Sequence, residues 1–152
     1  MDTHRHVLRF AAARASFEQA SVDARAALDA CGVRGPARHN AELVFEEVVS
    51  NVIRHGHAAE IEFSLTCEPA THVIVLTFED AGPPFDPLAQ PLPTLPKSLA
   101  EAPLGGLGLL LVRKASTQLH YERTPARTNR LTVSISTTGT VSAADSSNTE
   151  AP

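Results

Sequence analysis

The first third of the chain alternates between apolar and polar positions with the period of a helix. An Ala-rich segment over residues 16–30 is predicted to be helical, with Ser16 as its N-cap and Gly32 after its end. A second helix is predicted over residues 36–55, because proline suits a first helical turn and Gly56 can end a helix. Its packing positions recur three and four residues apart, at Leu43, Val44, Val48 and Val52.

After this helix the period changes to two. Residues 61–66 alternate apolar and polar side chains, whereas residues 72–78 are more continuously apolar and β-branched, as in a central strand covered on both faces or nearly so. The turn signal at residues 68–70 makes the pair an antiparallel hairpin. Three more strands are predicted, over residues 6–10, 119–123 and 130–136, with a third helix over residues 109–117.

Two segments lack this periodicity. Seven of the eleven prolines lie between Pro83 and Pro103, so residues 83–104 are predicted to form a long connector such as a lid. Residues 137–152 are rich in Ser, Thr and Ala and are predicted to be a disordered tail.

Composition narrows the classes of function. A chain of 152 residues with 43% apolar content suits one domain. The 17 acidic residues exceed the 13 Lys and Arg, which argues against a broad cationic surface for direct DNA binding. No apolar run is long enough for a membrane span or a signal peptide, and a cytoplasmic protein is expected. Cys31 and Cys67 lie outside any zinc-site or disulfide-framework spacing and are predicted to be buried, reduced thiols.

Glu47 and Asn51 are the first candidates for chemistry. They lie four residues apart on the second predicted helix and therefore project from one face. A carboxylate can accept a proton from a hydroxyl nucleophile, and an amide oxygen is a hard ligand that suits Mg²⁺. The alternative is an ordinary solvated helix face, and neighbouring Glu46 is an alternative base by residue type.

The second candidate is the run Asp-Ala-Gly-Pro-Pro-Phe-Asp, which begins with Asp80 directly after the apolar strand. A carboxylate at a strand end can accept a hydrogen bond from an adenine amino group, and Gly82 would let a planar base approach the backbone. The simpler interpretation is a turn.

The third candidate is the glycine cluster before the third helix, Gly105, Gly106 and Gly108. Backbone N–H groups at a helix start can bind an anion. The cluster lacks the Lys-Ser/Thr ending of a Walker P-loop, and it follows a loop where a Rossmann motif would follow a strand.

In this order, Glu-x-x-x-Asn, Asp-x-Gly and Gly-x-Gly resemble the N, G1 and G2 boxes of the GHKL, or Bergerat-fold, histidine-kinase-like ATPases. The resemblance spans residues 37–115. The runs at residues 51–56 and 80–87 look most like those of the anti-sigma factor serine kinases. This resemblance implies an α/β fold, a two-layer sandwich with a mixed, mainly antiparallel sheet and helices on one face, over residues 1–136.

The resemblance also implies roles for individual residues. Glu47 would be the general base for a substrate Ser or Thr, and Asn51 would hold Mg²⁺ against the phosphates of ATP. Asp80 would accept from the adenine amino group, with Gly82 lining the same pocket. The remaining implied nucleotide contacts are Gly105, Gly106 and Gly108 at the phosphates and Thr132 in the pocket.

The activity that the resemblance implies is that of a partner-switching serine/threonine kinase. Such a protein sequesters a sigma factor or other target, phosphorylates a STAS-type antagonist and forms homodimers. A non-catalytic ATP-binding switch module is the alternative, because Leu104 precedes the glycine cluster and Lys97 is the lid's lone cation. A detached catalytic domain of a two-component system is disfavoured, because no phosphoacceptor helix is present.

Overall fold

Five antiparallel strands form one sheet in the order β1-β2-β3-β5-β4. The structure is a computed structural model that describes residues 2–89 and 107–138. The strands are β1 His4–Ala11, β2 Glu60–Glu68, β3 Val73–Asp80, β4 Gln118–Arg123 and β5 Asn129–Ser136. The helices are α1 Arg14–Ala30, α2 Gly35–His55 and α3 Leu107–Ala115.

Alternation along the strands divides the sheet into a buried face and an open face. Every second residue of β5 is buried, and β2 and β3 likewise bury alternate apolar side chains, such as Phe63 and Leu76, on the face that packs against the helices. The ring of Phe45 from α2 meets that of Phe63 from β2 edge to face, with centroids 5.0 Å apart. The predicted two-layer α/β architecture with helices on one face is confirmed, and the sheet is antiparallel throughout the described strands.

The central strand differs from its prediction on one point. β3 lies in the middle of the sheet, but a single face of it is buried. Val73 and Val75 point to the open face and are half-buried. The apolar, β-branched sequence of this strand is therefore compatible with burial of one face alone.

The ends of α1 were predicted with mixed success. The helix begins at Arg14, so Ser16 lies in its first turn and the predicted N-cap was wrong. Its end follows the prediction, because Gly32 adopts a φ of +69° that suits glycine. The N–H groups of Gly32 and Val33 donate to Asp29 and Leu28, each at 3.0 Å, which is the Schellman arrangement.

The second half of the chain departs slightly from its predicted bounds. α3 begins at Leu107 and ends at Ala115, two residues earlier at each end than predicted. The backbone N–H of Thr137 donates to the carbonyl of His72 at 2.9 Å, so the chain is still held at that residue. The rest of the predicted tail, residues 139–152, and most of the predicted lid, residues 90–104, lie outside the described residues.

The two cysteines form a disulfide bond, so the prediction of two reduced thiols was wrong. Cys31 follows the last residue of α1, and Cys67 lies near the end of β2 with its side chain on the helix-facing side. Their Cα atoms are 6.2 Å apart, within the usual range for a disulfide. The bond ties the end of the first helix to the sheet.

Reducing this bond is expected to destabilise the fold. The cysteines are 36 residues apart in sequence. Closing a loop of that length lowers the entropy of the unfolded chain, which raises its free energy by about 4 kcal/mol at 25 °C. We therefore expect urea unfolding with a dithiol reductant to show a free energy of unfolding lower by about 2–4 kcal/mol.

The matched control is the double variant Cys31→Ser, Cys67→Ser. It should have the lower stability with or without reductant, because it has no bond to break. Two thiols titrating in the unreduced, denatured wild-type protein would contradict the disulfide directly.

Candidate functional site

A cleft opens between α2, α3 and the ends of the central strands. It encloses about 510 Å³, part of it open to solvent. Its walls are largely apolar, with a few polar groups among them. The lining residues are Glu47, Val48, Asn51 and Val52 of α2, Phe78 and Asp80 of β3, Phe85 and Pro87 of the following turn, Leu109 and Val112 of α3, and Tyr121, Asn129 and Leu131 of β4 and β5.

The α2 wall contributes the acid and the amide predicted from their spacing. Glu47 and Asn51 are one helical turn apart and both line the cleft. Glu46 is exposed and faces the other way, into the crevice between α1 and α2 beside Arg25. Of the two neighbouring glutamates, Glu47 is therefore the one in a position to act within the cleft.

Asp80 supplies the carboxylate at the end of β3. Its Oδ1 accepts hydrogen bonds from the backbone N–H of Gly82 at 2.9 Å and from Asn129 Nδ2 at 3.0 Å. The surrounding walls include Val52 and Leu131, which are apolar. An apolar slot with an acceptor carboxylate suits a flat heterocycle that carries an amino group.

Gly82 has a different role from the one predicted. It is buried and does not line the cleft. Its backbone N–H donates a hydrogen bond to Oδ1 of Asp80. A Cβ atom at this position would overlap the carbonyl oxygen of Gly56, which is backbone and cannot move aside easily. Glycine is therefore required here by the packing of this turn against the end of α2.

The glycines at the start of α3 divide into two groups. Gly108 is the second residue of α3, and a Cβ atom there would overlap Oε2 of Glu47. The first turn of α3, with its positive end, therefore lies close to the Glu47 carboxylate, whose flexible end would have to shift if residue 108 carried a side chain. The predicted phosphate contacts of Gly105 and Gly106 lie outside the described residues.

Thr132 does not belong to the cleft, which corrects its predicted role. It lies on the open face of the sheet, beside Thr77 and Glu79. On that face burial raises the pKa of Glu79, but hydrogen bonds from Thr128 at 2.6 Å and Arg130 at 3.1 Å outweigh it. The pKa of Glu79 is therefore held below its ordinary value. Its carboxylate is hydrogen-bonded at the open face of the sheet and does not face the cleft.

The sequence prediction missed Asn129 and Tyr121. Asn129 is 5% exposed and bonds directly to Asp80, its partner in the register of β3 and β5. The hydroxyl of Tyr121 donates to Asn129 Oδ1 at 2.6 Å. No local motif marks either residue, because the strand pairing brings them to Asp80.

Comparison with known proteins identifies the family. Residues 5–135 match the histidine kinase-like ATPase domain. The chain belongs to this family. It is also 33% identical, over 90 residues, to the serine/threonine-protein kinase BtrW of Bordetella bronchiseptica. That match covers 57% of this chain and 62% of BtrW, so the chain matches less than two thirds of its relative's length.

The cleft of this histidine kinase-like ATPase domain fits the nucleotide that the family name implies. Asp80 and the apolar walls suit adenine. Membership of an ATPase domain family itself implies that the domain binds ATP. Oxygen atoms of Asn51 and Glu47 are hard donors of the kind Mg²⁺ prefers, and this ion commonly takes few protein ligands beside substrate phosphates. Within the described residues, no group of three or more His, Cys, Asp or Glu could hold a metal ion. None of the described helices is long and apolar enough to cross a membrane.

Proposed function

We propose that this protein is an ATP- and Mg²⁺-dependent serine/threonine protein kinase of a partner-switching system. The observation that carries the proposal is the meeting of Glu47, Asn51 and Asp80 in one cleft. The first two can serve phosphoryl transfer and the third can recognise the base. The name of the relative BtrW, a serine/threonine-protein kinase, supports the same class of reaction.

Each residue of the cleft has a defined task in this proposal. Asp80 accepts a hydrogen bond from the adenine amino group, while apolar side chains such as Val52 and Leu131 hold the ring and exclude water. Glu47 accepts the proton of the substrate hydroxyl. Asn51 would hold Mg²⁺, which supplies charge neutralisation at the phosphates. Phosphoryl transfer requires mainly positioning and charge stabilisation, so a small set of residues is sufficient.

The partners in this proposal are those implied by the resemblance to anti-sigma factor kinases. The kinase sequesters a sigma factor or other regulatory target, and its phosphoacceptor is a Ser or Thr of a STAS-domain antagonist. Homodimer formation and a cytoplasmic location belong to the same proposal. Disulfide bonds are rare in the cytoplasm, so the Cys31–Cys67 bond argues against the cytoplasmic part of this proposal.

The test is phosphoryl transfer itself. Purified protein is incubated with γ-labelled ATP, Mg²⁺ and each STAS-domain protein of the same organism, and label on the acceptor is followed over time. We expect label on the Ser or Thr of one of these proteins, with no label when Mg²⁺ is chelated. Glu79→Gln is the matched control that should transfer normally, because Glu79 lies on the open face of the sheet.

Two other outcomes are informative. Tight ATP binding without transfer to any STAS-domain protein would favour the non-catalytic switch module, the alternative raised by Leu104 and Lys97, both outside the described residues. Absence of ATP binding would reject both functions.

A further inference from the structure

The side chain of Asn129 is bonded at both ends of its amide. Nδ2 donates to Oδ1 of Asp80 at 3.0 Å and to the carbonyl oxygen of Pro83 at 2.9 Å. Oδ1 accepts from the hydroxyl of Tyr121 at 2.6 Å and from the backbone N–H of Phe85 at 3.1 Å. The partners of Nδ2 are acceptors and those of Oδ1 are donors, so chemistry fixes the orientation of the amide.

Arg123 strengthens this arrangement. Its Nη1 donates to the carbonyl oxygen of Gly82 at 2.8 Å and to Oδ1 of Asn129 at 3.2 Å. Asn129 thereby connects the end of β3, the turn that follows it and strand β4. A buried amide with this many partners has little freedom to rotate, because any other orientation would leave buried polar groups unpaired.

The arrangement determines which oxygen of Asp80 is available to a ligand. Both Asn129 Nδ2 and the N–H of Gly82 donate to Oδ1. Within residues 2–89 and 107–138, the hydrogen bonds to this carboxylate fall on Oδ1. Oδ2 is therefore the oxygen left to accept from a group bound in the cleft that Asp80 lines.

We propose that Asn129 is a positioning residue that sets the base specificity of the cleft. By holding Oδ1, it keeps Oδ2 of Asp80 directed at the amino group on the six-membered ring of adenine. Hypoxanthine carries a carbonyl oxygen at that position, which a fixed carboxylate oxygen repels. The inference rests on the proposed nucleotide-binding function and adds to it the residue that enforces the choice of purine.

The proposal separates two roles that a buried asparagine could have. If Asn129 only supported the fold, its loss would weaken all nucleotides equally. If it fixes Asp80, its loss weakens ATP selectively, because inosine triphosphate presents an acceptor oxygen where ATP presents the amino group that donates to Asp80. The ratio of the two affinities is the quantity that distinguishes these roles.

The experiment measures the Kd of ATP and of inosine triphosphate by calorimetry in the presence of Mg²⁺. Wild-type protein should prefer ATP. Asn129→Ala should weaken ATP binding by about ten- to a hundredfold and leave inosine triphosphate nearly unchanged. Asn129→Ser keeps a hydroxyl donor and should recover part of the ratio. Thr132→Ala, on the same strand but on the open face, is the control expected to behave as wild type.

The outcomes separate this inference from the proposed function. Failure of the wild-type protein to bind ATP would reject the proposed function. Normal ATP binding by wild type, combined with an unchanged affinity ratio in Asn129→Ala, would overturn the positioning role alone.

A second variant decides the question if the Asn129 variants do not fold. Tyr121→Phe keeps the ring that lines the cleft and removes the 2.6 Å hydrogen bond to Asn129 Oδ1. We expect it to lower the ratio by about three- to tenfold. An unchanged ratio in a folded Tyr121→Phe protein would also overturn the proposal.

Discussion

Replacing Asp80 by asparagine is expected to abolish measurable ATP binding. The substitution keeps the shape of the side chain, and an amide oxygen can still accept from Gly82 and Asn129 as Oδ1 does. That choice leaves the amide NH₂ in the position of Oδ2, where it faces the adenine amino group with donor against donor. The affinity for ATP should fall by at least about a hundredfold, as measured by calorimetry.

The matched control for this prediction is Glu79→Gln. It makes the equivalent neutral substitution at the neighbouring residue, whose side chain points to the open face of the sheet. It should lose some stability, because the carboxylate bonds to Thr128 and Arg130, but it should retain ATP affinity. Unchanged ATP affinity in a folded Asp80→Asn variant would reject the assignment of Asp80 to adenine.

The features that local sequence could predict are those that depend on periodicity. Glu47 and Asn51 were found because four residues make about one helical turn, and the cleft contains both. The end of α1 could be predicted because glycine adopts a left-handed φ more readily than other residues. Gly32 has such a φ, +69°. The N-cap was missed because Ser16 has a suitable side chain, but the helix begins two residues earlier.

Strand parity could have corrected the prediction for Thr132. Leu131 and Val133 on either side of it are apolar and buried, so alternation alone sends Thr132 to the opposite face. The predicted pocket role of Thr132 came from the family resemblance alone. Asn129 shares the parity of the buried residues and therefore reaches the cleft.

Other features depend on contacts between distant segments. Asn129 lies opposite Asp80 because of the register between β3 and β5, which fixes a pair 49 residues apart. The disulfide likewise requires the end of α1 to lie over the end of β2, 36 residues on. Neither proximity follows from spacing along the chain, since both arise from the packing of whole elements.

Replacing Glu47 by glutamine is expected to separate ATP binding from phosphoryl transfer. Glutamine keeps the size of the side chain, so it fits beside Gly108 and preserves the walls of the cleft. It cannot accept the proton of a substrate hydroxyl. Transfer to the STAS-domain acceptor should slow by about 10²- to 10⁴-fold, the usual contribution of a general base, while the Kd of ATP stays close to that of wild type.

Glu46→Gln makes this test specific. Glu46 and Glu47 are adjacent in sequence but project roughly 100° apart around the helix, and Glu46 faces the crevice between α1 and α2. Its substitution should therefore leave both the rate and the affinity unchanged. If the base acts within the cleft, single-turnover assays should show slow transfer by Glu47→Gln and normal transfer by Glu46→Gln, whereas calorimetry should give both variants an ATP Kd close to that of wild type. Full activity in Glu47→Gln, with loss in Glu46→Gln, would place the base outside the cleft and contradict the geometry from which the kinase reaction was proposed.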